Sequence, residues 1–471
     1  MSEDSQIDQY LYKSDRENNI YSGIYIHIPF CIKKCPYCNF YSTSDISLKK
    51  TFVLALLKEI EMRSDLTLLV DTIYFGGGTP SLLTCGEMAR IIEVIRDNFH
   101  LMDNRTLKYK NFHNSEYIDE SKTTGSNKHL HNSGSMQITM EVNPGTIKEG
   151  YLKQIRDLGV SRLSIGVQSF DDTKLRFLER IHSSDAARQT ILSARDAGFD
   201  NISIDLIYGL PGETEGLWLS DLETALEYCP EHLSCYMLSY EHDTPMFEAY
   251  QSGEITPLDD EYMASLFRLT SEYLVSKGFI HYEVSNFASS PKHESIHNKK
   301  YWKMVPYLGF GPSAHSYYCE SSIYNSERFW NVRSVHQYIS VVDKGSLPIG
   351  EREKLTHEQQ LIEMIMVGLR RDKGIDIRYF ERLYSSARLY VDDEMSYFTK
   401  RFEQSKSQHS YEKPYTSEGQ FTIMFKDVLE QIKQRSWGKI DSTRCSLTTD
   451  GWLFLDTVTR WFVDALSLPQ I

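Results

Sequence analysis

Short apolar runs alternate with longer amphipathic segments over residues 21–280 of the chain. The short runs have the length and β-branched composition of buried strands, and the longer segments repeat apolar residues at helical spacing. The predicted strands are 23–28, 72–75, 137–142, 162–167, 201–207 and 233–238. The predicted helices are 48–63, 87–98, 148–158, 185–197, 217–228 and 259–277. Strands that alternate with helices predict an α/β fold with a parallel sheet, and six such units favour a partial (β/α)6 barrel, similar to a TIM barrel but open.

Two polar segments flank or interrupt this pattern. Residues 1–20 form a predicted flexible N-terminal lead, and residues 102–135 form a predicted surface insertion rich in Asn, Ser, Lys and His. The insertion carries three histidines that could bind a metal, although incidental histidines are common in polar loops: His113, His129 and His131.

The pattern changes after the predicted barrel at 21–280. Residues 281–345 are predicted to extend the barrel, with one more strand near their start followed by an aromatic, Gly-rich stretch. Residues 346–471 are mostly helical in pattern, with a strong amphipathic helix at 356–370 and a polar insertion at 403–419. We therefore predict a smaller, mostly helical, winged-helix-like C-terminal domain.

Composition limits the class of protein. The chain has 471 residues, of which 41% are hydrophobic and 25% charged, as expected for a globular protein with two domains. Its net charge of −14 argues against broad contact with a nucleic-acid backbone, so no nucleic-acid partner is expected. We find neither a run of ~18 apolar residues nor a secretory signal at the acidic start. Clustered cysteines in such a chain suggest metal ligands and the reducing cytoplasm.

The most informative motif is a cysteine triad directly after the first predicted strand. Cys31, Cys35 and Cys38 form a CxxxCxxC pattern on one loop. A structural zinc site needs a fourth ligand, and a four-cysteine electron-transfer cluster is likewise closed. Three cysteines would leave one iron of a 4Fe–4S cluster open to bind a small molecule, so the spacing favours an open cluster.

Polar or glycine residues follow each of the next strands. In a barrel-like sheet, the functional site lies at the carboxyl ends of the strands. Each residue by itself is more often a turn or cap residue, but together they predict one ligand site at this edge. They are Gly77, Gly78, Thr79, Glu141, Gln168, Arg180 and Asp205.

These features together resemble the radical S-adenosylmethionine (SAM) superfamily. The cysteine triad and the following Gly-Gly-Gly-Thr-Pro at 76–80 carry this resemblance. Four further motifs resemble the branch of oxygen-independent coproporphyrinogen oxidases: YIHIPFC at 25–31, GVQSF at 166–170, DLIYGLP at 205–211 and YLGFGPSAH at 307–315. The resemblance covers roughly residues 22–318.

The resemblance implies a role for each matching residue. Cys31, Cys35 and Cys38 would hold the 4Fe–4S cluster, and SAM would chelate its open iron. In the family, one electron from the cluster cleaves SAM to methionine and a 5′-deoxyadenosyl radical. The remaining positions would contact SAM, with Tyr37 on the adenine: Tyr25, Tyr37, Gly77, Gly78, Thr79, Glu141, Gln168, Arg180 and Asp205.

Two departures separate this chain from the oxidases themselves. The oxidases have a further cysteine two positions after the third ligand, where this chain has Phe40. Residues 297–302 also match the HNxxYW motif of the heme chaperones of the HemW branch. The resemblance implies heme contacts at His297, Tyr301 and Trp302, since imidazole can ligate heme iron and aromatic rings can stack on a porphyrin.

The alternative is that the HNxxYW residues lock a domain junction, with His297 as a hydrogen-bonded structural residue. His27 and His315 are further candidate axial ligands, each more often structural. A cysteine outside the triad, such as Cys229, Cys235 or Cys319, is a further candidate heme contact, although free cysteines are commonly buried as small hydrophobic residues.

The predicted function is a heme chaperone on a radical-SAM scaffold that delivers heme to respiratory hemoproteins. It would use an electron donor for the cluster and associate with a membrane at most transiently. The sequence leaves open whether the protein forms a homodimer. Whether SAM is cleaved productively, and hence whether the protein is an enzyme, is also open. The alternatives are an oxidase that converts coproporphyrinogen III to protoporphyrinogen IX, a radical-SAM enzyme that modifies RNA, and an iron–sulfur protein whose cluster is structural.

Overall fold

A computed structural model describes residues 21–102, 136–319, 326–389 and 419–467. The strands are β1 (Ser22–Ile28), β2 (Asp65–Gly77), β3 (Phe99–Leu101), β4 (Gln137–Val142), β5 (Arg162–Gln168), β6 (Ile202–Tyr208), β7 (His232–Met237), β8 (Ile280–Glu283), β9 (Asn286–Ala288), β10 (Tyr307–Phe310), β11 (His315–Cys319), β12 (Ser326–Asn331), β13 (Ile349–Lys354), β14 (Ile375–Asp376), β15 (Gly438–Ile440) and β16 (Arg444–Leu447).

The helices alternate with these strands in the first half of the chain. They are α1 (Lys49–Met62), α2 (Cys85–Asn98), α3 (Tyr151–Asp157), α4 (Asp172–Phe177), α5 (Ser184–Asp196), α6 (Glu215–Glu227), α7 (Pro245–Gln251), α8 (Asp260–Ser276), α9 (Ile296–Trp302), α10 (Val335–Asp343), α11 (His357–Leu369), α12 (Ile377–Leu389), α13 (Gln420–Met424), α14 (Lys426–Gln434), α15 (Thr449–Trp452) and α16 (Leu455–Ser467).

The large sheet has a parallel centre. Its order is β13-β12-β11-β10-β1-β2-β4-β5-β6-β7-β9-β8, with β3 beside β2. All neighbours from β10 to β7 are parallel, and the strands outside them are antiparallel. The six predicted parallel strands are confirmed, and within the part of the chain that the structure describes the two ends of the sheet do not pair with each other. The fold is therefore the predicted open α/β sheet.

Two parallel strands have no counterpart in the prediction, the short β3 beside β2 and the longer β10. β10 pairs in parallel with β1, Tyr25 lying opposite Gly309, and it comes from the aromatic, Gly-rich stretch that we did not assign to a strand. A Cβ atom at Gly309 would lie 2.2 Å from the carbonyl oxygen of His315. The glycine therefore lets the β10–β11 hairpin close tightly, a packing reason that strand patterns do not reveal.

Alternation along the strands separates the core from the site. In β1, Ile24, Ile26 and Ile28 are fully buried in the large hydrophobic cluster. The intervening Tyr25 and His27 therefore lie on the opposite face, because successive side chains of a strand alternate. The same alternation places polar side chains of β4 to β7 on the inner face of the sheet.

The C-terminal region has its own hydrophobic cluster, built mainly from α11–α16 with the small sheet β14-β16-β15. The predicted helix at 356–370 is confirmed as α11, which begins after Thr356 with a capping box to Gln359. Within this region the Trp452 indole N–H donates to the Leu369 carbonyl at 2.9 Å. An ion pair between Arg268 of α8 and Asp450 joins the region to the large sheet's domain.

One predicted domain boundary differs from the structure, and several other predictions concern residues that the structure does not describe. The large sheet extends to Lys354, past the predicted boundary at 346, because β13 pairs with β12. Residues 1–20, the three insertion histidines His113, His129 and His131, and both predicted insertions except for Met102 and Gly419 lie outside the described residues. Among the described helices, none is long and apolar enough to cross a membrane.

Candidate cofactor site

The loop after β1 brings the cysteine triad to the carboxyl ends of the parallel strands. The loop is closed by hydrogen bonds from the Cys31 N–H to the Thr43 carbonyl (3.0 Å) and from the Thr43 N–H to the Pro29 carbonyl (2.7 Å). A tighter turn follows, in which the Cys38 N–H donates to the Cys35 carbonyl at 3.2 Å. The three cysteines are half-buried, free of disulfides, and line one cavity of about 640 Å³.

The donors around the triad suit a cluster of thiolates. The Thr79 hydroxyl donates to the Cys31 Sγ at 3.4 Å, and the Arg180 guanidinium donates to the Cys35 Sγ at 3.5 Å. Burial raises the pKa of the Cys38 thiol, a cost that bound iron would offset. Among the residues that the structure describes, no three His, Cys, Asp or Glu side chains are arranged around a single metal ion.

The glycine segment at the end of β2 presses against the cysteine loop. The Gly78 N–H donates to the Ile28 carbonyl at 2.8 Å. A Cβ atom at Gly78 would lie 2.8 Å from the Phe30 carbonyl oxygen and 3.1 Å from the Cys31 Sγ, so only glycine fits. Gly77, Gly78 and Thr79 line the cavity beside the triad.

Glu141 at the end of β4 joins this segment to the cavity wall. Its carboxylate accepts hydrogen bonds from the Tyr74 hydroxyl (3.0 Å) and the Gly77 N–H (3.1 Å). Burial raises the pKa of Glu141 to about 7, with nearby Asp205 adding to the rise. The carboxylate can therefore accept from a ligand's hydroxyl or ammonium group while it changes charge near neutral pH.

Asp205 lies inside β6, where two hydroxyls hold it. The Ser164 hydroxyl donates to one carboxylate oxygen at 2.8 Å and the Ser203 hydroxyl donates to the other at 3.0 Å. Ser203 also bonds to His232, which is 1% exposed. Burial raises the pKa of Asp205, and the buried Arg162 lines the cavity nearby. The carboxylate is thus fixed in orientation on the inner face of the sheet.

Arg180 lies in the turn between α4 and α5 and reaches back over the cavity. Its guanidinium donates to the Gly166 carbonyl at 3.0 Å and to the Tyr37 hydroxyl at 3.4 Å. Its buried Nε has no hydrogen-bond partner within the described residues. Gln168 lines the cavity with a left-handed backbone (φ +67°). Because Arg180 lines the cavity, a carboxylate ligand could pair with its guanidinium, which fits the amino-acid end of SAM.

Tyr25, His297, Tyr301 and Trp302 lie behind this cavity and are not part of its lining, whereas Asn298 of the same HNxxYW motif lines it. Tyr25 stacks on Tyr74 with ring centroids 6.1 Å apart. The His297 imidazole is 1% exposed and bonds through both nitrogens, to the Thr72 hydroxyl and to the Tyr301 hydroxyl, each at 2.9 Å. Burial lowers the pKa of His297 to about 3, so the ring is neutral.

Trp302, at the end of α9, faces the C-terminal unit. The Arg370 guanidinium lies 5.1 Å from the centre of its ring, and the Arg371 side chain donates to its carbonyl at 3.3 Å. The indole Nε1 is buried without a hydrogen-bond partner in the described structure. Trp302 therefore contributes to the contact between the sheet and the helical region.

Several lining residues escaped the sequence analysis. They occupy alternate positions on the inner face of the strands: Tyr74, Arg162, Ser164, Ser234 and Tyr236. Register explains their grouping, since Glu141 pairs with Ser164 and Asp205 pairs with Ser234 on neighbouring strands. Polar residues at every second position of otherwise buried strands were the signal that could have identified them.

An α/β sheet with three cysteines and converging polar groups at one edge is typical of proteins that bind a cofactor there. Similarity to known proteins identifies the family. The radical SAM superfamily model matches residues 25–225. The chain is 31% identical to the mitochondrial radical S-adenosyl methionine domain-containing protein 1 of Danio rerio, over 78% of this chain and 77% of that protein. It is 31% identical to the heme chaperone HemW of Bacillus subtilis, over 76% of this chain and 86% of that protein.

A solved structure supports the same fold. The coproporphyrinogen III oxidase HemN from Escherichia coli superposes with a TM-score of 0.68, covering 94% of this chain and 90% of that chain at 20% identity. The chain belongs to the radical SAM superfamily, in the family of its relatives named heme chaperone HemW. Membership implies a 4Fe–4S cluster and SAM, and the cavity described above has the donors to hold them.

Proposed function

We propose that the protein is a heme chaperone that carries a 4Fe–4S cluster and SAM, binds heme and delivers it to respiratory hemoproteins. The observation that carries the proposal is the similarity to proteins named heme chaperone HemW, combined with Phe40 at the mouth of the cavity. Phe40 is 69% exposed and lies where the oxidases have a further cysteine. An exposed aromatic ring suits contact with a flat macrocycle better than ligation of a second cofactor.

Each side chain of the cavity has a proposed task. Cys31, Cys35 and Cys38 would hold the cluster, which when bound supplies one electron to SAM. Arg180, which lines the cavity, would pair with the SAM carboxylate, and Glu141 and Asp205 would accept hydrogen bonds from the ammonium or ribose hydroxyl groups of SAM. Tyr37 would pack on the adenine, and Gln168 would complete the wall.

The predicted heme contacts at His297, Tyr301 and Trp302 need a rearrangement to act as such. His297 would have to break both of its hydrogen bonds before its imidazole could ligate iron. Their geometry supports the structural alternative, in which the three residues join β1 and β2 to the C-terminal unit. We place the protein in the cytoplasm, with transient access to membrane-bound acceptors and an electron donor for the cluster.

The competing function is oxidative decarboxylation of coproporphyrinogen III, and one experiment separates the two. The protein would be purified anaerobically with its cluster, then incubated either with heme or with coproporphyrinogen III, SAM and a reductant. We expect heme to stay bound through gel filtration and no protoporphyrinogen IX to form. Catalytic formation of protoporphyrinogen IX without heme retention would overturn the proposal and assign the protein to the oxidases.

A further inference from the structure

A second cavity lies next to the cofactor cavity, at the same edge of the sheet. It has a volume of about 500 Å³, within the range of small-molecule sites. Asn39, one residue after the last cysteine of the triad, lines both cavities. The two sites are therefore separated by little more than the end of the cysteine loop, yet the second site has no cysteine in its lining.

An exposed histidine faces this second cavity. His315 begins β11 and pairs with Trp330 of β12, and their rings stack with centroids 5.4 Å apart and planes at 24°. Neither ring nitrogen of His315 makes a hydrogen bond to another residue that the structure describes. The indole holds one face of the imidazole, which leaves the ring edge, where the nitrogens lie, available to a ligand. This arrangement contrasts with His297, whose two nitrogens are both occupied.

The turn that carries His315 is rigidly supported. Glu59, fully buried, accepts from the Gly311 N–H at 2.9 Å and from the Asn331 side-chain amide at 2.7 Å. Ser313 adopts a left-handed backbone (φ +62°) and its N–H donates to the Val332 carbonyl at 3.0 Å. Strained residues of this kind persist where the surroundings fix them, often at ligand sites. Asn331, 1% exposed, also presents a buried Oδ1 without a partner in the described structure.

The rim supplies an aromatic wall and a cation. Tyr41 lines the cavity, and the exposed Arg333 guanidinium lies 5.9 Å from the centre of its ring. Glu351 is the acidic member of the lining. A planar metal complex with carboxylate arms matches this set, because imidazole ligates iron, aromatic rings pack on a macrocycle, and guanidinium pairs with carboxylate.

We propose that the second cavity is the heme site, with His315 as an axial ligand of the iron and Arg333 paired with a propionate. Trp330 orients the imidazole, and Tyr41, whose ring stacks with His27 and lies under the Arg333 guanidinium, forms the wall beside the macrocycle. The proposal rests on the proposed function, since it names the place where a heme chaperone would hold its cargo. Heme bound there lies beside the cysteine loop through Asn39, without occupying the cofactor cavity.

Heme titrations of four proteins test this site: wild type, His315→Ala, His315→Met and His336→Ala. His336 is an exposed histidine on the neighbouring helix α10, outside the cavity lining, and serves as the matched control. Loss of an outer-shell partner costs a metal site about ten- to hundredfold in affinity, so loss of the ligand itself should cost at least roughly tenfold. We expect that loss in His315→Ala, wild-type affinity in His336→Ala, and a thioether-type heme spectrum in His315→Met.

The outcomes separate this site from the function on which it rests. Wild-type heme affinity and spectrum in both His315 variants would overturn the site while leaving the chaperone function intact. A wild-type protein that fails to retain heme would overturn both. A loss confined to His336→Ala would move the ligand to α10. Heme dimethyl ester provides a second readout, because Arg333→Gln should weaken binding of heme but leave binding of its ester unchanged.

Discussion

The backbone N–H of Gly77 donates a hydrogen bond to the carboxylate of Glu141 at 3.1 Å. This contact joins the end of β2 to the end of β4 beside the cysteine loop. Glu141, whose pKa is raised to about 7, thus holds the glycine segment next to the cysteine triad. The Tyr74 hydroxyl bonds to the other carboxylate oxygen. Glu141 therefore links two residues of β2 to the end of β4 at the wall of the cofactor cavity.

Stability should fall with rising pH because of Glu141. Its pKa is raised from 4.5 to about 7 by burial, so the folded state holds the proton more tightly than the unfolded chain does. The stabilising contribution is complete below pH 4.5 and is lost as the pH rises to about 7. We expect the unfolding free energy of wild type to fall between pH 4.5 and 8 by about 1 to 3 kcal/mol more than that of Glu141→Gln, as measured by denaturant unfolding of both proteins. Parallel pH curves for the two proteins would contradict the assignment.

The triad should account for all cluster binding. We expect Cys31→Ala to abolish bound iron and sulfide after anaerobic reconstitution, because two remaining thiolates cannot hold the cluster. Cys229→Ser is the control, since Cys229 is an exposed free cysteine outside the cavity. Iron and sulfide analysis measures both variants. A full cluster in Cys31→Ala would remove the basis of the cofactor site.

A methyl group at Gly78 should disturb the cluster loop. Its Cβ would lie 2.8 Å from the Phe30 carbonyl, and relieving such overpacking costs about 1 to 3 kcal/mol. We expect Gly78→Ala to retain less iron and bind SAM more weakly by equilibrium dialysis. The control is Gly86→Ala in α2, where a Cβ meets no atom within 4 Å and retention should match wild type. Equal retention in both variants would show that the loop adapts.

A buried ion network fixes two strand ends that carry site residues. Lys174 bonds to Glu213 and Asp221, all three nearly inaccessible to solvent. The two carboxylates in turn accept from the Gly209 and Phe170 N–H groups. Lys174→Met would leave two buried charges unpaired, so we expect unfolding free energy to fall by about 3 to 5 kcal/mol.

The control for this network is Lys33→Met. Its ion pair with Glu179 is about half exposed, and such surface pairs contribute less than about 1 kcal/mol. Urea unfolding of both variants, with wild type alongside, makes the comparison. Similar stability losses in the two variants would contradict the role assigned to the buried network.

The sequence pattern predicted the strands of the sheet well where a short apolar run was clearly separated from the neighbouring amphipathic segments. The β1, β4, β5, β6 and β7 strands lie within two residues of their predicted ends at each terminus. The α3 helix is shorter than predicted, because Gly150 takes a left-handed backbone (φ +72°) and the helix begins only at Tyr151. Short helices such as α4 were missed, since one and a half turns give little periodic signal.

Sequence motifs predicted many of the residues that line the site, but they did not predict the contacts among those residues. The cysteine triad and Arg180 do meet in one cavity, because the carboxyl ends of parallel strands converge. The pairing of Glu141 with Gly77 and the two hydrogen bonds of His297 depend on register and burial, which spacing along the chain does not encode. The second cavity needed β10 beside β1, and no sequence pattern indicated that strand.

The most direct test of the chaperone function is the kinetics of heme transfer. Heme-loaded protein would be mixed with rising concentrations of a heme-free respiratory cytochrome, and separately with a heme-free globin that takes up heme released into solution. Direct delivery predicts a transfer rate that rises with cytochrome concentration and exceeds the rate of release to the globin. A rate that is the same for both acceptors and independent of their concentration would mean passive release, and would contradict the account.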